Sequence, residues 1–329
     1  TLKACAICHS DISHMAGDWG GHLPAVYGHE AAGIITGIGT DISYYKIGDT
    51  VLVTLIRSCG ECISCSTGKP TCCETRYDVV SGPLQTLGGG AMQQGLATGA
   101  FAEKVVVDQS QIQTIPEDIS MASASLLACG VITGMGAVTN TAQVSTGSTV
   151  VVIGAGGVGL NAIQGAAIAG ASKIIAIDVS EEKLDVAKEF GATDGILTSE
   201  EKPYRIVKKM TGGRGVDYVF VTVGSIPAYE SASRFLSVGG SVVMVGMPPS
   251  GAKVAIEPVI LATTSQSLLG SYMGSSVLKK DIPVLIDLYK QGRLKLDELV
   301  TRQYSLNEIN EAVNDVKLGN TRRNVIVFD

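Results

Sequence analysis

The sequence lacks any cluster of positive charge and has few aromatic side chains. Its 25 Lys and Arg residues are scattered among 31 Asp and Glu residues, for a formal net charge of −6. A protein that binds phosphate backbones needs clustered basic residues, so we expect no nucleic-acid partner. Aromatics make up only 5% of the 329 residues, whereas glycine is abundant at 40. That balance favours an α/β protein with tight turns and close approaches of the backbone to a ligand.

Charged residues are absent between Asp118 and Lys173. Small polar residues interrupt this stretch, and we find no run of about twenty apolar residues of the kind that spans a bilayer. We therefore expect no membrane association and interpret the stretch as buried sheet and helix near a ligand crevice. The first residues resemble the interior of a strand and not a signal peptide. Clustered cysteines in such a chain indicate reduced thiols, metal binding and a cytoplasmic location.

Strand and helix patterns alternate in the middle of the chain, which predicts a doubly wound parallel sheet. The predicted strands are Thr149–Ile153, Lys173–Asp178, Val216–Val221 and Ser241–Val245. The predicted helices between them are Val158–Ala169, Glu181–Phe190 and Ala228–Leu236. Outside this region we expect strands at Ala31–Ile38, Thr50–Ile56 and Asn324–Phe328, and helices at Ile282–Lys290 and Leu306–Val316.

A glycine-rich turn links the first of these strands to the first helix. Its glycines follow the pattern G-x-G-x-x-G at Gly154, Gly156 and Gly159, with Gly157 and Val158 between them. Such a turn lets the backbone approach a pyrophosphate at a helix N-terminus. Asp178 ends the next strand, nineteen residues after Gly159. A carboxylate there binds ribose hydroxyls and repels a 2′-phosphate, which favours NAD over NADP; the alternative role for Asp178 is the N-cap of the following helix.

Five cysteines lie close together at positions 59, 62, 65, 72 and 73. Four thiolates at this spacing can enclose one tetrahedral zinc ion, and a closed shell of four ligands is typical of a structural site. The first three ligands are Cys59, Cys62 and Cys65. Spacing alone leaves the fourth ligand open between Cys72 and Cys73, and a disulfide knot is the alternative for the whole cluster.

A second metal site is indicated by Cys8, His29 and Cys129. Cys129 is the remaining cysteine near the junction between the N-terminal region and the region of alternating strands and helices. Three protein ligands leave one position of a tetrahedral zinc ion open for water or substrate, as catalysis requires. Cys5 lies in an apolar run and is better interpreted as a core residue.

Together, Cys8-His9-Ser10-Asp11, Gly28-His29-Glu30, the cysteine cluster and the glycine turn with Asp178 resemble the zinc-dependent alcohol dehydrogenases of the medium-chain dehydrogenase/reductase superfamily, over essentially the whole chain. The resemblance implies a GroES-like β-rich catalytic domain formed by residues 1–133 and 273–329, and a Rossmann NAD-binding domain at residues 134–272. Members of this family usually begin earlier, so the chain is expected to be truncated at its N-terminus.

The resemblance also assigns roles to individual residues. It implies a catalytic zinc on Cys8, His29 and Cys129, and a structural zinc whose fourth ligand is Cys73. Ser10 would take the substrate proton, Asp11 would orient His29, and Glu30 would lie behind the metal. Where many members have a relay histidine this chain has Ser13, so His14 beside it is a candidate for the proton's exit. Cofactor contacts are implied for His9, Thr133, Val158, Lys183, Val223, Val245 and Arg323.

The sequence therefore predicts an NAD-dependent zinc alcohol dehydrogenase with two zinc ions per chain and a small alcohol or aldehyde as substrate. A glutathione-dependent formaldehyde dehydrogenase is the alternative enzyme, although Asp18 and Arg76 lie only near the positions expected to bind glutathione carboxylates. A zinc-binding structural or interaction protein is the non-enzyme alternative. The 56-position interval from Cys73 to Cys129 favours a homodimer over a tetramer.

Overall fold

The computed structural model describes residues 1–199, 202–319 and 321–329. Its strands, in chain order, are β1 Leu2–Ala6, β2 Ala25–Val26, β3 Glu30–Ile34, β4 Thr50–Val53, β5 Gln93–Gln94, β6 Ile112–Thr114, β7 Thr149–Ile153, β8 Lys173–Asp178, β9 Asp194–Leu197, β10 Val216–Val221, β11 Leu236–Met244, β12 Ser267–Gly270, β13 Val300–Ser305 and β14 Arg323–Val327.

The α-helices are α1 His9–Ala16, α2 Ile63–Ser66, α3 Met121–Leu126, α4 Ile132–Gly136, α5 Gly157–Ile168, α6 Glu181–Glu189, α7 Pro203–Met210, α8 Ile226–Ala232, α9 Pro258–Thr263, α10 Leu278–Lys290 and α11 Ile309–Leu318. Short 3-10 turns cover Pro70–Cys72, Gly95–Ala97, Gln109–Gln111, Ser233–Phe235, Met273–Ser275, Asp297–Leu299 and Leu306–Glu308. Wider π-helical turns cover Leu127–Val131 and Ala137–Thr141.

The chain divides into two compact units. One comprises Thr1–Gly130 and Val277–Asp329, and the other comprises Val131–Ser276. The sequence predicts boundaries at 133/134 and 272/273, three and four residues away from these. The N-terminal and C-terminal segments share one sheet because β1 pairs with both β3 and β14.

The unit Val131–Ser276 is built on a parallel sheet with the strand order β12-β11-β10-β7-β8-β9. The order reverses direction between β10 and β7, so the carboxyl ends of these strands border the crevice in which such sheets bind ligands. Apolar β-branched residues such as Val151, Ile175 and Val219 are completely buried, as expected for strands covered on both faces. The predicted parallel sheet is therefore confirmed.

Element boundaries differ from the predictions mainly where local patterns compete. β11 begins at Leu236, so the predicted helix Ala228–Leu236 is too long; α8 ends at Ala232. The predicted strand Ala31–Ile38 is also too long, because β3 ends at Ile34. Helix α1 was not predicted at all: its sequence HSDISHMA is only eight residues long, and Gly17 in the left-handed region ends it.

The other unit contains a sheet with the strand order β13-β14-β1-β3-β4-β6. β1, β3, β4 and β6 pair antiparallel, whereas β13 and β14 are parallel. One core cluster includes Leu2, Cys5 and Val51, and Cys5 is fully buried there as predicted. The amino end of α1 and the start of β3 bring two predicted zinc ligands into this unit's interior.

The stretch without charges contains a helical run from Met121 to Thr141. With 21 residues and a mean hydropathy of 1.7, it is long and apolar enough to cross a membrane, so the expectation that no such run exists is wrong. The small residues that interrupt the run do not lower its mean hydropathy enough. Of the 18 most apolar consecutive residues of this run, 94% are buried inside the protein. The run therefore has the properties of a core helix, which can be as long and as apolar as a helix that crosses a membrane.

Candidate active site

A buried cluster of four side chains forms in the first unit. Cys8 precedes helix α1, His29 and Glu30 lie at the start of β3, and Cys129 lies in the π-helical turn. One potential ligand atom from each lies within 4.8 Å of the others. Both cysteines and both partners are buried, at 6% exposure or less. The structure thus brings together the three predicted ligands, together with the acid predicted to lie behind them.

Asp11 contacts two members of this cluster, Cys8 and His29, through its carboxylate. Its Oδ1 lies 3.1 Å from Nδ1 of His29 and accepts the backbone N–H of Gly28 at 2.9 Å. Its Oδ2 accepts the N–H of Cys8 at 3.2 Å. Asp11 is fully buried, so these contacts replace the water it has lost. A carboxylate on Nδ1 fixes the ring's orientation and leaves Nε2 for a metal.

Nε2 of His29 supports a metal at this position. It is buried, and no hydrogen-bond partner meets it among the described residues. A buried polar nitrogen without a partner is costly unless another group, such as a metal ion, binds it. Contact with Cys129 holds the pKa of the Cys8 thiol well below its usual range, which favours the thiolate that zinc requires. Two thiols and an imidazole are the donor set that zinc prefers, so these residues fit the ion.

Glu30 and Arg323 form a buried ion pair beside the thiols. The other oxygen of Glu30 accepts the backbone N–H of Gly130 at 3.3 Å. Burial raises the pKa of Glu30 to about 7, although the guanidinium opposes this shift. A Cβ atom on Gly130 would lie 3.0 Å from Cζ of Arg323, so glycine leaves room for the guanidinium. Arg323 is only 6% exposed, and its proposed contact with a pyrophosphate stays a prediction.

Thr54 is a supporting residue that the sequence analysis missed. It is fully buried just after β4, and its hydroxyl donates to the carbonyl of Ala128 at 2.6 Å. That bond fixes the backbone next to Cys129. No sequence pattern could reveal it, since the two residues are 74 positions apart and threonine is common in strands.

The predicted proton acceptor, Ser10, lies in the first turn of α1. Its Oγ is 3.6 Å from Sγ of Cys8, so a hydroxyl stands beside the metal-binding cluster. His14 is one helical turn further, where its ring meets Trp19 edge-on at 5.2 Å and stacks on Tyr27 at 6.3 Å. Within the described residues no hydrogen bond joins Ser10 to His14, and the role of His14 stays a prediction. His9 is exposed at the first position of α1.

The segment from Cys59 to Cys73, which we call the cysteine lobe, holds a second group of converging sulfurs that is more exposed than the first cluster. The sulfurs of Cys59, Cys62, Cys65 and Cys73 lie within 4.8 Å of one another, and Cys72 is outside this group. Backbone N–H groups point at the sulfurs: that of Cys59 lies 3.3 Å from Sγ of Cys73, and that of Cys62 lies 3.3 Å from Sγ of Cys59. Such N–H contacts stabilise thiolates, and four converging thiolates match a closed zinc shell.

The glycine-rich turn lies between β7 and α5, at the carboxyl edge of the parallel sheet. Gly154 has φ of +98°, and a Cβ atom on Gly159 would lie 1.8 Å from the carbonyl oxygen of Gly154. Only glycine fits both positions. Helix α5 begins within this turn, and a helix N-terminus after a glycine-rich turn is an arrangement that binds phosphate groups.

Asp178 ends β8 next to this turn. Its Oδ2 accepts the N–H of Ala155 at 2.7 Å, and its Oδ1 accepts those of Val179 at 2.7 Å and Ser180 at 3.2 Å. The helix N-cap is Ser180, whose Oγ accepts from Lys183, so the alternative role of Asp178 as the N-cap is wrong. Asp178 instead holds the glycine turn through its hydrogen bond with Ala155. Lys183, the predicted ribose contact, lies in the next helix, α6.

The predicted nicotinamide-side residues of this unit occupy neighbouring places. Val158 lies in the first turn of α5, Val223 is the second residue after β10, and Val245 directly follows β11. Val223 packs against the glycine turn, because a Cβ atom on Gly154 would lie 2.3 Å from its Cγ1. The hydroxyl of Thr133, in α4, lies 3.7 Å from the sulfur of Met273.

Comparison with known proteins places the chain in a family. Residues 1–117 match the alcohol dehydrogenase GroES-like domain, and residues 157–291 match the zinc-binding dehydrogenase domain. A protein described as S-(hydroxymethyl)glutathione dehydrogenase 1, from Schizosaccharomyces pombe, is 36% identical over 98% of this chain and 87% of its own length.

Solved structures agree with this placement. Benzyl alcohol dehydrogenase from Acinetobacter calcoaceticus has a TM-score of 0.93 and 32% identity, covering 100% of this chain and 91% of its own. A protein from Sinorhizobium meliloti 1021, described as a zinc-binding dehydrogenase and bound to NADP, has a TM-score of 0.82 and 26% identity, covering 99% and 90%. The chain belongs to the zinc-dependent alcohol dehydrogenases of the medium-chain dehydrogenase/reductase superfamily, enzymes that use a nicotinamide cofactor.

Proposed function

We propose that the protein is an NAD-dependent zinc alcohol dehydrogenase that converts a small alcohol into an aldehyde or ketone. The observation that carries this proposal is the buried convergence of Cys8, His29 and Cys129, with the unpartnered Nε2 of His29 and the hydroxyl of Ser10 beside it. The three donors would hold a zinc ion. When bound, zinc would supply a Lewis acid that lowers the pKa of an alcohol hydroxyl.

The chain's own residues then handle the proton. Ser10 lies next to Cys8, so its hydroxyl can accept a proton from an alcohol that reaches the cluster. Asp11 holds the His29 ring with Nε2 directed into the cluster and keeps it from rotating. The buried Glu30–Arg323 ion pair places two opposite charges beside the thiols. His14 is the candidate that passes the proton outward, and the nicotinamide ring would accept the hydride.

Asp178 supports NAD as the cofactor. Three backbone N–H groups donate to its carboxylate and fix this negatively charged group at the end of β8. A 2′-phosphate brought to this place would meet that charge, whereas ribose hydroxyls can donate to it. His9, Thr133, Val158, Lys183, Val223, Val245 and Arg323 are proposed as the remaining cofactor contacts.

The deciding experiment is a panel of alcohols tested with NAD and with NADP on zinc-replete protein. We expect turnover with NAD, and two zinc ions per chain by metal analysis. Alcohol oxidation that persists after complete removal of zinc would contradict the mechanism, and equal kcat/KM with NADP would contradict the role of Asp178.

A second candidate is a glutathione-dependent formaldehyde dehydrogenase, which the 36% identity to the Schizosaccharomyces pombe protein favours. Asp18 is half-buried and Arg76 is exposed in the lobe region, and these charges could bind the carboxylates of glutathione. Turnover of formaldehyde with glutathione, compared with turnover of simple primary alcohols, separates the two activities.

We also infer a cytoplasmic homodimer without nucleic-acid or membrane partners. The edge strand β12 ends the parallel sheet, and Leu268 on this strand is 39% exposed. Val259 and Ile260 on α9 are exposed as well, at 65% and 43%. An apolar sheet edge of this kind needs a cover, and a two-fold axis supplies one from an identical edge. Light scattering of the purified protein tests the dimer.

A further inference from the structure

Tyr229 makes a contact that neither the metal site nor the glycine motif explains. It lies on the buried face of α8, packed in the core cluster with Ala232 and Phe235. Its hydroxyl donates to the carbonyl oxygen of Gly246, just beyond the end of β11. Burial raises the pKa of Tyr229 to about 12, so the hydroxyl stays a neutral donor at physiological pH.

Gly246 is the point where the chain leaves β11. Its N–H and that of Val245 both donate to the carbonyl oxygen of Val221, at 2.9 and 3.1 Å. The backbone of Gly246 lies directly against that of Val223, since a Cβ atom on Gly246 would be 2.4 Å from the Val223 carbonyl carbon. The position of Gly246 therefore limits where the backbone of Val223 can lie.

Val223 in turn meets the glycine-rich turn. A Cβ atom on Gly154 would lie 2.3 Å from Cγ1 of Val223, so the valine side chain occupies the space that the first glycine leaves. The hydroxyl of Thr222 also donates to the carbonyl oxygen of Gly154 at 2.8 Å. A continuous series of contacts thus runs from the Tyr229 hydroxyl through Gly246 and Val223 to the phosphate-binding turn.

We propose that Tyr229 is a positioning residue for the dinucleotide site, whose hydroxyl holds Gly246 so that Val223 stays seated against the glycine-rich turn. The inference rests on the proposed function in one respect, that this turn binds a nicotinamide dinucleotide. Tyr229 itself needs no contact with the cofactor. Because the edge of the sheet is fixed in advance, binding does not have to order it, and preorganisation of this kind raises affinity.

The test compares Tyr229→Phe with Tyr45→Phe. Tyr45 is a matched control: it is 6% exposed, and its hydroxyl donates to a backbone carbonyl, that of Ile112, at 2.9 Å in the other unit. Both substitutions leave a carbonyl without its donor, so both are expected to lower the melting temperature. Affinity for NADH is measured by fluorescence titration, well below either melting temperature.

We expect Tyr229→Phe to weaken NADH binding roughly two- to tenfold, the range that follows from losing one net hydrogen bond. Tyr45→Phe should bind NADH as the unaltered protein does. In turnover assays Tyr229→Phe should raise KM for NAD more than it lowers kcat, because the reacting groups are unchanged. Gly246→Ala, which pushes a methyl group into Val223, should weaken binding further.

Unchanged NADH affinity in Tyr229→Phe overturns the inference, and so does an equal loss in both tyrosine variants, which would indicate general destabilisation. The binding measurement does not need turnover. If the unaltered protein binds NADH and oxidises no alcohol, the proposed function fails while the comparison of variants still decides the role of Tyr229. If it binds no nicotinamide dinucleotide, both fail.

Discussion

The two cysteine clusters are built in opposite ways. The ligands of the exposed lobe lie within the short segment from Cys59 to Cys73, and no side chain among them is buried. The buried cluster joins Cys8, His29 and Cys129 across 121 positions of sequence, and its members are at most 6% exposed. In the lobe a metal must organise the chain, whereas in the buried cluster the fold organises the ligands before any metal arrives. Zinc would therefore have a structural role in the exposed lobe and a chemical role in the buried cluster.

The largest expected effect comes from removing a ligand of the buried cluster. In Cys8→Ala, turnover should fall by on the order of a thousandfold or more, because several kcal/mol of Lewis-acid stabilisation are lost. The fold should persist, since the neighbouring β1 and α1 are held by other contacts. Steady-state kinetics and circular dichroism check these two statements. A variant that keeps most of its turnover would remove this cluster from the reaction.

The matching change in the lobe should act on structure before chemistry. In Cys62→Ser the backbone from Cys59 to Cys73 should lose its protection against amide hydrogen exchange, because the lobe has little apolar core of its own. Amides of β7 to β12 should exchange as before. Hydrogen-exchange mass spectrometry measures both regions in one experiment. A lobe that stays protected without Cys62 would contradict the idea that metal organises it.

Asp11 sharpens the comparison, because it has no counterpart in the lobe. In Asp11→Asn the side chain keeps its size but loses its charge, and the His29 ring loses a full carboxylate partner. We expect zinc affinity or kcat/KM to fall roughly 10- to 100-fold, as is typical when a carboxylate behind a histidine ligand is changed. Metal competition titration and kinetics measure the two quantities. Asp185→Asn, on the exposed face of α6, is the control and should change neither.

The same contrast explains what the sequence could predict. The functional residues of the lobe and of the glycine-rich turn lie close together in the sequence. Cys59, Cys62, Cys65 and Gly154 can therefore be recognised without a structure. The strands β7, β8 and β10 were predicted with their observed ends because each is rich in β-branched and aromatic residues and is followed by a helical pattern.

Contacts between distant residues have no such signature. The bond from Thr54 to Ala128 and the bond from Tyr229 to Gly246 depend on how elements pack. The pairing of Arg323 with Glu30 arises in the same way, because β14 and β3 both pair with β1. Sequence spacing cannot report these contacts, and they are the ones that hold the buried cluster and the sheet edge in place.

The smallest expected effect separates two adjacent cysteines in the lobe. Spacing alone leaves either Cys72 or Cys73 as the fourth ligand, but the structure groups only Cys73 with the other three sulfurs. Cys72→Ser should therefore retain two zinc ions per chain and shift the melting temperature by less than about 2 °C, as an exposed substitution usually does. Cys73→Ser should retain only the zinc of the buried cluster. Metal analysis of both variants decides the assignment, since the loss of one zinc from Cys72→Ser would reverse it. In that case Cys72 would bind the metal although the structure groups Cys73 with the other sulfurs, so metal binding would change the geometry of the lobe. A geometry that depends on the metal is the property in which the lobe differs from the buried cluster.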